Sequence, residues 1–90
     1  MAKIYVVNYE YANDKYNAYE RGTKCAFTDL NKAKERLAKL TEGLKSIMLK
    51  RFDEDDIVEE KDEMSYSIYW DYRYEEYHTD YWIDEIEVEE

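Results

Sequence analysis

The sequence predicts an α+β domain: a small antiparallel β-sheet in the order β-β-α-β-β, with one amphipathic helix packed on one face. Three features carry that expectation. Residues 64–74 alternate, with Met64, Tyr66, Ile68, Trp70, Tyr72 and Tyr74 on one side and Ser65, Ser67, Tyr69, Asp71 and Arg73 on the other; this is the period of a strand. Leu30, Ala33, Leu37, Leu40, Leu44 and Ile47 recur every three or four residues, the period of a helix with one apolar stripe. Residues 3–11 hold Ile4, Tyr5, Val6, Val7, Tyr9 and Tyr11, types that fit a pleated surface.

The elements follow in order. In the first strand Ile4 and Val6 share one face, and Tyr5, Val7, Tyr9 and Tyr11 share the other. Ala12, Asn13, Asp14 and Lys15 read as a turn. Residues 16–27 return as a second strand, with Gly22 marking a bulge. Thr28 or Asp29 caps a helix over residues 29–51, with Lys50 and Arg51 at the negative end of its dipole. Gly43 is a weak point where that helix can divide. Residues 53–63 form an acidic connector, in which Asp56 and Glu59 resemble a capping pair for a short helical turn. After the alternating strand, residues 75–79 turn, with His78 in the turn. A last strand runs to Val88, with Trp82, Ile86 and Val88 on one face and Ile83, Glu85 and Glu87 on the other. Tyr66, Trp70, Tyr72, Tyr74 and Trp82 are expected to face the helix, and Tyr69, Tyr77 and Tyr81 to lie outside.

Ninety residues, 1–90, make a single domain with a thin margin of stability. Ile, Leu, Val and Phe number only 17, which with a net charge of −10 falls in the compositional range of disorder. Eleven Tyr and two Trp reverse that reading, because each aromatic ring buries a large area. The single cysteine, Cys25, excludes an internal disulfide and reads as a small apolar residue near the helix entry. No signal peptide and no apolar stretch of membrane-spanning length is visible, so a cytoplasmic protein is expected.

Charge is segregated along the chain. Residues 53–90 carry 17 acidic and two basic side chains, a formal charge of −15. Residues 28–52 carry seven basic and three acidic ones, a charge of +4. A field of this sign repels DNA, RNA and anionic lipid, so neither direct nucleic-acid binding nor membrane binding is expected. In an extended strand Glu85, Glu87 and Glu89 form a row of carboxylates at intervals of roughly 6–7 Å. Asp80 and Asp84 lie on the opposite face of that strand, and Asp71, Glu75 and Glu76 lie across the hairpin. With Tyr69, Tyr77 and Tyr81 supplying contact area, these residues are the expected partner-binding surface. It suits a protein partner with a Lys/Arg-rich nucleic-acid-binding surface. The same row also reads as an edge strand kept soluble by charge.

No complete catalytic motif is present, and an enzyme is not expected. Asp53, Asp55, Asp56 and Glu59 invite a metal reading, but the acids run consecutively and no glycine sits among them, unlike a calcium loop. No catalytic residue, metal ligand or cofactor is assigned from the sequence. The chain is expected to be a monomer, or a homodimer paired through the helix.

The Lys-Ile-Tyr-Val-Val opening strand, the single Ala/Leu/Lys helix and the acidic Tyr-rich hairpin over residues 66–90 resemble small phage-encoded proteins, among them anti-CRISPR inhibitors. That resemblance rests on size, charge and architecture. It implies an inhibitor in the host cell cytoplasm, blocking the nucleic-acid groove of a defence effector by DNA mimicry. The alternative is a structural or adaptor domain.

Overall fold

The β-branched and aromatic opening of the chain forms β1 (Ala2–Asn13), which turns back into β2 (Ala18–Phe27). A computed structural model describes residues 2–13, 18–72 and 75–88, with side chains described for all of these but residues 71, 72, 75 and 76. Helix α1 (Leu30–Arg51) follows, then a single 3-10 turn (Glu54–Asp56), β3 (Ile57–Asp62), β4 (Ser65–Tyr72) and β5 (Glu75–Val88). The strands form one five-stranded sheet in the order β2-β1-β5-β4-β3, every neighbour antiparallel. The α+β class and the β-β-α-β-β order are as the sequence predicts, with one strand more. That extra strand, β3, lies in the expected acidic connector, and the helical turn precedes it at Glu54–Asp56.

Asp29 caps α1: its Oδ1 accepts from the Asn31 backbone N–H at 2.8 Å. Phe52 ends the helix, its backbone N–H donating to the Met48 carbonyl at 2.9 Å. The helix runs unbroken through Gly43. Its buried residues are Ala33, Leu37, Thr41 and Met48, while Leu30, Leu40 and Leu44 pack at the margin. Ile47 was expected in this stripe but is 52% exposed. Spacing of four from residue 33 to residue 41 turns the buried face toward Met48 and leaves Ile47 outside. Thr41 buries its hydroxyl by donating to the Leu37 carbonyl at 2.8 Å.

The helix covers one face of the sheet. Residues paired in register share a face, so Val7, Ile83, Tyr81 and Tyr66 belong to the covered side. Val7, Tyr66, Ile68, Tyr77, Tyr81 and Ile83 form the core with the buried helix residues. Tyr77 and Tyr81 are therefore core residues, 9% and 8% exposed, where the sequence placed them outside. Trp82 points the other way and is half-buried on the uncovered face, where the sequence placed it under the helix. Tyr66 and Trp70 are on the helix side as expected; Tyr72 and Tyr74 lie outside the described side chains.

Gly22 is not the bulge. The bulge lies two residues later, because Val7 pairs with Cys25 and Asn8 with Thr23, so Lys24 is the extra residue. Gly22 pairs with Tyr9, and a Cβ there would meet the Tyr9 ring at 3.1 Å. The expected turn at residues 75–79 is strand instead: Tyr72 pairs with Glu75 and Asp71 with Glu76. Among the described residues no helix is long and apolar enough to cross a membrane.

Candidate functional site

Among the described residues, the second face of the sheet has no layer over it. Alternation and register place five residues in each of three rows across it, from β2 to β3. The first row is Tyr19, Ala12, His78, Tyr69 and Val58; the next is Arg21, Glu10, Asp80, Ser67 and Glu60; the third is Thr23, Asn8, Trp82, Ser65 and Asp62. Asp84 follows beside Val6, and Ile4 with Ile86 and Ala2 with Val88 close that end. Among the described side chains this face carries five carboxylates, Glu10, Glu60, Asp62, Asp80 and Asp84, against one cation, Arg21.

Several of these side chains are held in place. Asp84 Oδ2 accepts from Asn8 Nδ2 at 2.6 Å and from the Trp82 indole N–H at 3.1 Å. Asn8 in turn accepts from the Thr23 hydroxyl at 2.8 Å. The Arg21 guanidinium lies 6.0 Å from the Trp82 ring centre. Lys24, at the bulge, instead turns its ammonium to the Tyr9 ring on the covered side, 4.4 Å from its centre. Tyr69, His78, Asp80, Ser67 and Glu60 line a shallow hollow of about 260 Å³. His78 Nε2 stands 3.8 Å from Asp80 Oδ2. Next to the acidic rows, Ile4, Val6 and Val88 are half-buried and Ile86 is 47% exposed, so the face has an apolar end.

The expected partner-binding set divides between the two faces. Tyr69, Asp80 and Asp84 lie on the open face. Glu85 and Glu87 project on the helix side, where Lys3 Nζ approaches Glu85 Oε1 at 3.4 Å. Tyr77 and Tyr81 are buried beneath the helix and offer a partner little surface. Burial raises the pKa of both phenols. The side chains of Asp71, Glu75 and Glu76, and all of Glu89, lie outside the described residues. Glu10, Glu60, Asp62 and Trp82 join the face unannounced. Glu10 alternates with Ile4, Val6 and Asn8, but only the long-range pairing of β1 with β5 sets it opposite Asp80.

The acids at 53–59 do not converge. Asp53 and Asp55 are exposed. Glu59 is turned toward the helix, where it accepts from Tyr66 at 2.8 Å and meets Lys45 Nζ at 3.0 Å. His78, expected in a turn, is a half-buried strand residue. Cys25 is a free, half-buried thiol packed against the core opposite Val7, near the helix entry as expected. No protein family matches the chain, and neither a curated protein nor a solved structure similar to it was found.

Proposed function

We propose that this chain is a binding protein whose open sheet face docks on a Lys/Arg-lined nucleic-acid-binding surface of another protein, as an inhibitor that acts by occupation without turnover. The observation that carries this reading is the ratio, among the described side chains, of five carboxylates to one guanidinium on a sheet face that no described element covers. A pleated sheet holds such anions about 4.8 Å apart across strands and 6–7 Å apart along them. Fixed spacing matters because a partner then pairs with the charges without first ordering them. Trp82, Tyr69 and the apolar end at Ile4 and Ile86 supply the uncharged contact area that charge alone lacks. The reading agrees with an anti-CRISPR-like role in the host cytoplasm, and it moves the docking surface from the last hairpin to the whole open face.

The test is capture by the immobilised chain from host lysate at about 50 and 500 mM salt, with and without added duplex DNA or RNA. The expected catch is a nucleic-acid-binding protein released both by salt and by the added nucleic acid. It is lost when Glu10→Gln, Glu60→Gln and Asp80→Asn are combined. A catch that survives that triple variant, or none of this class, argues against the proposal.

A second reading is a structural or adaptor domain that pairs with its own copy through α1. The exposure of Ile47 (52%) and Leu49 (43%) favours it. Light scattering at micromolar concentration should then show a dimer that Ile47→Glu dissociates.

A further inference from the structure

Two carboxylates face each other on the open side of the sheet. Glu10 of β1 pairs in register with Asp80 of β5, which sets their Cβ atoms roughly 4.5–5.5 Å apart, and like charges directly opposite on neighbouring strands destabilise a sheet. Arg21 is the other in-register neighbour of Glu10, but its guanidinium is drawn over the Trp82 ring. Glu10 makes no ion pair among the described residues. His78 lies two residues before Asp80 on the same strand and the same face, with Nε2 turned toward the Asp80 carboxylate. One ligand atom from each of Glu10, His78 and Asp80 lies within 4.8 Å of the other two. All three residues are half-buried.

We propose that Glu10, His78 and Asp80 bind a divalent transition-metal ion, with zinc as the matching class. One imidazole nitrogen and two carboxylate oxygens are a donor set that zinc accepts, at about 2.0–2.2 Å from each. Tetrahedral ligands at that radius stand about 3.4 Å from one another, so rotamer adjustments on the order of 1 Å close the site. The strands need not move, because two ligands share β5 and the third is fixed by the β1–β5 register. An ion here turns the Glu10–Asp80 repulsion into coordination and leaves Glu60, Asp62 and Asp84 as the uncoordinated carboxylates of the docking face. The hollow lined by Glu60, Ser67 and Tyr69 leaves its remaining position open to water or to a small anionic ligand.

The test is calorimetric titration of the whole chain with zinc chloride alone, near pH 7, with magnesium chloride as the comparison. One zinc per chain is expected, bound at least about tenfold more tightly than magnesium, which disfavours imidazole. His78→Ala, Asp80→Asn and Glu10→Gln should each weaken zinc binding about tenfold or more, and Glu87→Gln should leave it unchanged. Circular dichroism checks each fold, and Glu10→Gln, nearly isosteric, keeps the test decisive if His78→Ala does not fold. Affinity weaker than about 1 mM overturns the proposal. So does equal affinity for magnesium, or a less than threefold loss in the folded variants at positions 10, 78 and 80.

Discussion

The Tyr66 hydroxyl donates a 2.8 Å hydrogen bond to Glu59 Oε2, which ties a core ring to the edge strand of the sheet. Tyr66 is 1% exposed, and the same carboxylate meets Lys45 of α1 at 3.0 Å. Helix, core and edge strand β3 are thus joined through one carboxylate. That hydrogen bond is the main reason the Glu59 pKa is held below its ordinary value, with the Lys45 ammonium adding to the effect. A carboxyl with a lowered folded pKa stabilises the fold above its unfolded pKa of about 4.3 and loses that contribution as pH falls through the folded value. Tyr66→Phe should cost about 1–2 kcal/mol at neutral pH by urea unfolding. It should also flatten the loss of stability between about pH 5 and pH 3.

Alkaline pH acts on the opposite sign. Burial raises the pKa of Tyr66, Tyr77 and Tyr81. For such groups stability is complete below the unfolded value of about 10 and falls as pH rises beyond it. Urea midpoints should therefore hold steady from about pH 7 to 9 and drop steeply above pH 10. The 295 nm absorbance of tyrosinate should appear in step with unfolding.

Gly43 sits mid-helix on an exposed position, and a Cβ there would meet nothing within 4 Å. The helix continues through it because Ala33, Leu37, Thr41 and Met48 bury the opposite face. Gly43→Ala should raise stability by about 0.5–1 kcal/mol, read as a rise in the thermal midpoint.

Gly22 carries the opposite constraint. The Tyr9 ring lies over it, and Tyr9 also donates to Glu20 at 2.5 Å. Gly22→Val forces that ring away and should cost about 1–2 kcal/mol despite the better strand propensity of valine. In a Tyr9→Ala background the same substitution should be neutral or stabilising, which a double-mutant cycle measures.

The helix and the strands β1 and β4 were legible because each has a local period; β2 does not alternate, and Ala12 and Asn13, expected in the turn, are the paired end of β1. The face assignment of β5 was not. Tyr77, Tyr81 and Ile83 are apolar at odd positions, whereas Trp82, Ile86 and Val88 are apolar at even ones. The pattern changes phase because a 14-residue strand, about 46 Å long, outreaches a 22-residue helix of about 33 Å. Only the stretch through Ile83 is covered, so Glu85 and Glu87 occupy the same phase without being buried. Strand β3 was hidden for a different reason: Glu59, Glu60, Lys61 and Asp62 are edge residues whose charges blunt further pairing. The acidic face itself is a product of the register. Glu10, Asp80 and Glu60 come from three distant segments, and no local pattern announces that they share a row.

The most direct measurement is NMR of the free chain with a neutral paramagnetic agent in solution, at two protein concentrations. The side chains of Trp82, Tyr69 and Ile86 should relax strongly and those of Tyr66, Tyr81 and Ile83 weakly, at both concentrations. Equal protection of the two sets, or protection of Trp82 that grows with concentration, would mean that the sheet face is covered and would contradict a bare acidic docking surface.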